Sequence, residues 1–193
     1  MIKLFLIPLL RFSYFCVMII EEVQSLLPKD FSDKSRVWVY QSSRAFIEKE
    51  QQEINEQLEQ FYTQWTAHGA AVKGWAKVLF GQFIVVMADE TAVSVSGCST
   101  DSSVKIIKSI ERQYSVNMFD RMSITFMRKG KAEMLPLGQI QYAIDKGFID
   151  GETYLFNNVV YTKAELQERW LVPLRKSWLA ERVHLNSHKE SLN

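Results

Sequence analysis

The stretch that constrains the fold most strongly is residues 75–103, where strand, turn, strand and helix signals follow one another without interruption. Two apolar runs, Trp75–Phe80 and Phe83–Ala88, are separated only by Gly81-Gln82. A two-residue link that begins with glycine is typical of a type II′ turn, whose first central residue needs a positive φ. The sequence therefore predicts an antiparallel hairpin that leads through a small polar segment into a helix.

The segments around this hairpin complete an alternating pattern of strands and helices. Arg36–Gln41 and Met122–Met127 are rich in β-branched, aromatic and other apolar residues and are typical of strands. Apolar residues recur at helical spacing over Glu48–Ala67, before Gly69, and again from about Asp101. The order strand, helix, strand, strand, helix, strand predicts an α+β fold, a ferredoxin-like βαββαβ plait with both helices on one face of a four-stranded antiparallel sheet.

Residues 131–185 predict an α+β extension that covers the open face or the edge of the plait. Gly138–Lys146 is a short helix stopped by a glycine, and Asn157-Asn158 separates two strand-like runs as a type I′ turn candidate. Thr162–Glu165 has the pattern of a capping box and opens a last helix that continues through Leu174.

The chain divides into five predicted segments. These are a leader (1–17), an N-terminal arm (18–34), the ferredoxin-like core (35–130), the extension (131–185) and a flexible tail (186–193). Pro8 and Arg11 interrupt the apolar leader, so its longest run is shorter than the ~20 residues that a spanning helix needs. We interpret it as lying upstream of a true start at Met18, with a membrane-associated leader or a helix packed on the domain as alternatives.

Composition narrows the classes of partner. The chain has 193 residues, 47% of them hydrophobic, which is enough for a core. Lys plus Arg total 23 against 22 for Asp plus Glu, so no overall field attracts DNA or an acidic membrane. Two cysteines, Cys16 and Cys98, do not make a disulfide framework, which favours the cytoplasm. No cofactor and no DNA partner are predicted, and membrane association is expected only if the 1–17 leader is real.

A run of small and hydroxyl residues lies between the hairpin and the second helix. Backbone N–H groups and hydroxyls gathered at a helix N-terminus form a binding site for an anion. The predicted binding residues are Gly97, Ser99, Thr100, Ser102 and Ser103. The run lacks the G-x-x-x-x-G-K-[ST] spacing of a nucleotide-binding loop, which occurs nowhere in the chain. The alternative is that Asp101 caps the helix and satisfies the same N–H groups.

Cys98 lies in the same run and is the candidate catalytic residue. The partial charge at a helix N-terminus makes a thiolate more available, and a nucleophile also needs a base, for which His68, Asp89, Glu90 and Asp101 are candidates. The alternative is a small residue that fills a tight loop. The neighbouring carboxylates Asp89 and Glu90 point in opposite directions along a strand and have no evident third ligand, so solvated acids are expected and no metal is predicted.

An aromatic set on the predicted outer face of the sheet suggests RNA binding as a further alternative. It consists of Trp38 and Tyr40, with Arg36 and Phe83. RNA-recognition domains share this order of strands and helices and stack bases on such rings. The same rings would be core residues if the C-terminal helix covered them.

Four motifs taken together resemble a family of small uncharacterised bacterial proteins that often carry the automatic label ABC transporter ATPase. They are Ser35–Gln41, Gln64–Gly69, Gly97–Ser103 and Phe119–Arg121. The similarity covers most of Met18–Val183, and the family pattern begins near Met18. The resemblance implies the ABC transporter ATPase label for this chain.

The leading interpretation is a cytoplasmic small-ligand or anion-binding protein, or an interaction module, with an unknown small anion or a protein as its partner. A thiol-dependent enzyme that uses Cys98 is the alternative, and an RNA-binding plait is the second alternative. The sequence does not determine the oligomeric state.

Overall fold

The computed structural model describes residue 21 and residues 23–95 and 97–185. The predicted leader (1–17), the proposed start at Met18 and the predicted tail (186–193) lie outside the described residues. Within the described chain, no helix is long and apolar enough to cross a membrane.

The described residues divide into two units. The first contains residues 23–120 together with Asn158–Arg169, and the second contains residue 21, Arg121–Asn157 and residues 170–185. The break near residue 120 and the return at 158 mean that each unit is built from separate stretches of the chain.

The first unit is organised around strand β5 (Phe83–Asp89), which is buried along its whole length. It pairs on one side with β1 (Arg36–Gln41) and on the other with β4 (Lys73–Leu79), in a three-stranded antiparallel sheet. Helices α2 (Glu48–Thr63) and α3 (Gly97–Gln113) pack on one face of this sheet. A helical segment, α1, is described at residues 23–26. The core on the helical face includes Ile54, Leu58, Ala76, Ile84, Val86, Ile107 and Ile110.

The α+β class is confirmed, but the described residues do not form the four-stranded plait. The strand predicted at Met122–Met127 is β6 (Ser123–Arg128), and it belongs to the second unit, where it pairs with β7 (Lys131–Pro136). Lys129 and Gly130 join the two strands with φ angles of 48° and 79°. Pairing with the next segment of the chain closes a short loop and costs less entropy than a return to β1.

The edge of β1 is occupied by the returning segment Asn158–Arg169. The N–H of Val37 donates to the carbonyl of Tyr161 at 2.9 Å, and Arg36 forms an isolated bridge with Thr162. This segment then enters helix α5 (Lys163–Arg169), which lies beside β1. A short return of the chain therefore stands where the plait would have placed its fourth strand.

The rings of the predicted aromatic platform pack against the protein and do not form a free surface. Trp38 and Tyr40 are half-buried against the core to which α2 and α3 contribute, with the ring of Trp38 6.2 Å from Trp65 and that of Tyr40 5.7 Å from Phe119. Phe83, on the opposite face of the sheet, is fully buried. The alternation of side chains along a strand correctly predicts which residues share a face. It does not predict whether that face is covered, and here both faces of the sheet are.

α2 ends at Thr63, four residues before the predicted end. Thr66–Ala67 (β2) instead pairs with Ala70–Ala71 (β3) across a turn made by His68-Gly69, whose φ angles are 51° and 82°. Gly69 is left-handed as predicted, but it is a hairpin turn residue and not a helix cap. His68 likewise belongs to this turn and not to the end of α2.

The central hairpin is confirmed, and its turn differs from the prediction by one residue. Phe80 and Gly81 are the central residues, with φ angles of 52° and 63°, and the N–H of Gln82 donates to the carbonyl of Leu79 at 3.2 Å. Two consecutive positive φ angles are typical of a type I′ turn. The predicted type II′ turn would have needed a positive φ angle at Gly81 only.

The second unit is a four-stranded antiparallel sheet with the order β7-β6-β8-β9, in which β8 is Tyr154–Phe156 and β9 is Leu171–Pro173. A 3-10 turn (Leu137–Gln139) leads into helix α4 (Ile140–Asp145), which packs its buried side on the sheet through a separate apolar core. The short helix predicted near this position is confirmed.

Two predictions for the C-terminal region are wrong and one is confirmed. Thr162 is the N-cap as predicted, because its hydroxyl accepts the N–H of Glu165 at 3.2 Å, and the Glu165 carboxylate accepts the N–H of Tyr161 at 2.8 Å, one residue before the cap. The helix ends at Arg169, however, and the chain continues as edge strand β9. Pro173 is tolerated there because the outer side of an edge strand needs no N–H donor for a neighbouring strand. Asn157 does not form a hairpin turn, since its N–H donates to the carbonyl of Trp170 at 2.6 Å.

The turn geometry predicts that Gly81→Ala destabilises the first unit by about 1–2 kcal/mol, the usual cost of a left-handed conformation with a Cβ. The added Cβ would lie 3.0 Å from the side-chain nitrogen of Gln51, which can move, so the backbone dominates the cost. Gly97→Ala is the matched control, because no atom lies within 4 Å and its φ is not positive. Urea unfolding of both variants gives the comparison, and equal stability of the two would contradict the turn assignment.

Candidate functional site

One end of the first sheet brings together most of the residues that the sequence singled out. β4 and β5 are antiparallel, with Lys73 opposite Asp89, so the start of β4 and the end of β5 lie at the same end of the sheet. The β2–β3 hairpin immediately precedes β4, and the segment that enters α3 follows β5. We call this region the sheet-end site, defined by His68, Asp89, Glu90 and Gly97–Ser103.

His68 reaches this site on the β2–β3 hairpin. β2 packs against α3, so the turn that carries His68 adjoins the helix that carries Cys98. His68 is exposed and holds a φ of 51°, a region that costs a residue with a Cβ free energy and is enriched at functional sites. The sequence left open whether these two elements share an edge, and the antiparallel register of β4 and β5 shows that the segments leading to them flank the same end of the sheet.

α3 begins at Gly97, four residues before the predicted start near Asp101. The predicted loop, Gly97–Ser103, therefore forms about the first two turns of the helix, and Asp101 is an exposed residue in the second turn and not the N-cap. Cys98 and Ser99 are helical, and their side chains lie outside what the structure describes. Gly, Ser and Thr are weak helix formers, which is why their composition indicated a loop.

The hydroxyls of the predicted anion cradle do not all point toward one ligand. Ser103 is fully buried, its hydroxyl donates to the carbonyl of Thr100 at 2.7 Å, and it also hydrogen-bonds Tyr40. Burial raises the pKa of the Tyr40 phenol, and the Ser103 hydrogen bond partly offsets that rise. Gly97 is exposed, and Thr100 and Ser102 are half-buried. Ser103 thus lies in the core, and the surface of the first turn is formed by its neighbours.

Asp89 is a buried anchor, which corrects the expectation of a solvated acid. Its carboxylate accepts the N–H and the hydroxyl of Thr91, the N–H of Ser32 at 3.2 Å and the ammonium of Lys73 at 3.4 Å. These bonds lower the pKa of Asp89 to about 2, with the Thr91 hydroxyl as the largest cause. A carboxylate with four donors is an ionised structural acceptor and not a base.

Lys73 extends this anchor to the N-terminal arm. Its ammonium donates to the carbonyl of Asp30 at 2.5 Å, lies 2.9 Å from the Asp30 carboxylate, and sits 4.7 Å from the centre of the Phe31 ring. The hydrogen bond to Asp30 raises the pKa of Lys73. From α5, the buried ammonium of Lys163 donates to the carbonyl of Phe31 at 2.8 Å. Three elements of the unit therefore hold residues 30–33.

Glu90 closes the segment between β5 and α3, because its carboxylate accepts the N–H of Val95 at 2.7 Å. Asp89 and Glu90 thus both accept backbone N–H groups in the described structure. Across the described ranges, no group of three or more His, Cys, Asp and Glu side chains is placed to hold a metal ion.

Comparison with known proteins adds no relative. No family model matches the chain, and no curated protein or solved structure gives a significant match. The resemblance carried by the four sequence motifs therefore stays a prediction, and the properties of the sheet-end site have to be inferred from its own geometry.

The sequence missed the Asp89 anchor and the β2–β3 hairpin. A His-Gly pair is a local turn signal, so the hairpin had a clue in the sequence. The Asp89 anchor had none, since Ser32 lies 57 residues away along the chain.

The lowered pKa of Asp89 gives a pH prediction. Since the folded pKa is about 2 and the usual value is 3.8, the stabilisation is complete above pH 3.8 and is lost as the pH falls toward 2. Asp89→Asn should destabilise the protein at pH 7 by about 1–3 kcal/mol, and the difference from wild type should shrink as the pH falls through that window. Asp101→Asn, an exposed acid of α3, is the control and should change little. Urea unfolding at several pH values measures this, and a difference independent of pH would contradict the role of the Asp89 charge.

Proposed function

We propose that the protein binds a small anion at the sheet-end site, on the N-terminal turn of α3. The observation that supports this most directly is the position of Gly97, where a Cβ would meet no atom within 4 Å. Gly97, the first residue of a 17-residue helix, is therefore exposed and open to a ligand. The first backbone N–H groups of a helix have no partner within it, and the helix dipole adds a partial positive charge there.

The proposed ligand contacts are the backbone N–H groups of the first turn, with Thr100 and Ser102 as hydroxyl donors beside them. Gly97 and Ser99 contribute through the backbone. His68, on the adjoining hairpin, would add a positive charge when protonated, which favours an anion further. The ABC transporter ATPase label has no part in this proposal, because the site lacks a nucleotide-binding loop. A cytoplasmic location is part of the proposal.

The proposal predicts a saturable response to inorganic phosphate. Amide NMR shifts of Cys98 to Ser103 should move and saturate as phosphate is added. Asp101→Ala removes a nearby exposed negative charge and should tighten binding by about two- to fivefold. Glu168→Ala, which removes an exposed acid of α5, should leave the affinity unchanged. Shifts that stay linear with concentration in wild type and in Asp101→Ala would reject the anion site.

A second candidate function is thiol chemistry at Cys98. It is favoured by one observation, namely that the hairpin bearing His68 packs against the helix whose first turn contains Cys98. An imidazole near a thiol at a helix N-terminus is a recurring arrangement for activating a nucleophile.

Alkylation kinetics test this candidate separately. In a Cys16→Ser background, Cys98 should react with iodoacetamide at pH 7 at least about tenfold faster than free cysteine. His68→Ala should slow the reaction, whereas His184→Ala, in the second unit, should not. A rate equal to that of free cysteine and insensitive to His68→Ala would sink the thiol candidate and leave the anion proposal standing.

A further inference from the structure

The second unit exposes aromatic rings that lie next to cations. Tyr142, Phe148 and Trp178 keep 60%, 55% and 36% of their surface exposed. The ammonium of Lys146 lies 5.7 Å from the centre of the Tyr142 ring, and the guanidinium of Arg182 lies 5.1 Å from that of Trp178. Single exposed apolar residues are ordinary, but repeated pairs of a ring and a cation are the elements of a recognition surface.

Helix α4 connects these rings. Tyr142 lies on the helix, and Phe148 follows its C-terminal turn, where a backbone hydrogen bond ties it to the helix. Gln141, next to Tyr142, exchanges two hydrogen bonds with the backbone of His184, two residues after Arg182. We therefore treat Tyr142, Lys146, Phe148, Trp178 and Arg182 as one aromatic–cationic surface.

The unit that carries this surface is also the more basic of the two. Its described residues (21, 121–157 and 170–185) contain eight Lys and Arg against six Asp and Glu, a formal charge of +2. The described part of the first unit contains 12 against 14, a formal charge of −2. The near-neutral charge of the whole chain therefore conceals a separation of charge between the two units.

We propose that the aromatic–cationic surface binds single-stranded nucleic acid. Bases stack on exposed rings, and the phosphates between them pair with the cations. A duplex hides the faces of its bases, and an acidic protein segment would use the cations while leaving three rings in water. A single strand is the partner that uses both components. This site lies in the second unit and is independent of the anion proposal for the first.

The contribution of Phe148 should come from stacking more than from charge. Arg128 lies 6.0 Å from the centre of its ring, but the same guanidinium pairs with Glu133 at 2.5 Å. That carboxylate neutralises the cation locally. Lys146 and Arg182 are therefore the expected phosphate contacts.

The test measures fluorescence anisotropy of a labelled oligouridylate of about 12 nucleotides on titration with the full chain. Wild type should bind saturably and lose affinity between about 50 and 200 mM salt. Phe148→Ala and Trp178→Ala should each weaken binding at least about fivefold, the loss of one stacked base. Tyr161→Ala is the matched control, because this tyrosine is 69% exposed and belongs to the first unit.

The outcomes separate the partners. Circular dichroism of each variant verifies that it is folded before its affinity is interpreted. If duplex RNA competes as strongly as the unlabelled single strand, the proposal is overturned. If polyglutamate competes as strongly, it is overturned in favour of an acidic protein partner. An equal loss for Tyr161→Ala, or no saturable binding by wild type, would overturn it as well.

Discussion

The first unit depends on one strand that is buried on both faces. Every residue of β5 is buried, and its central residues have no exposed surface. A buried strand must pair along both edges, because an unpaired buried N–H or carbonyl group costs as much as a lost hydrogen bond. β1 and β4 provide that pairing, and α2 and α3 cover one face. Burial on both faces also explains why Phe83–Ala88 reads as a continuous apolar run and not as an alternating one.

The end of this strand is held in place by the carboxylate of Asp89. Asp89 converts the last position of β5 into an anchor for Ser32, Lys73 and Thr91, so the sheet and the N-terminal arm are joined by charge-assisted hydrogen bonds. Such bonds are stronger than neutral ones, which suits a position where the strand leaves the core. The anion proposal instead uses groups on the β2–β3 turn and on the first turn of α3.

The two units carry different chemistry. The first presents a helix N-terminus and a histidine, for which we propose a compact anion as the ligand. The second presents rings beside cations over a helix and its flanking segments, for which we propose an extended single strand. A chain with a formal charge of +1 would give little reason to expect either, since global charge reports the sum and not the distribution.

The sequence by itself determined the elements that depend on neighbouring residues. β1 occupies the predicted range Arg36–Gln41, the central hairpin forms, and Thr162 caps α5, because periodicity and turn chemistry act over a few residues. The tertiary structure alone decided the partner of β6, the cover over Trp38 and Tyr40, the start of α3 and the ionised state of Asp89. Each of these depends on groups distant in the sequence. An alternating pattern separates the two faces of a strand but does not say what covers each face. Weak helix formers such as Gly97 become helical because the rest of the helix packs on the sheet.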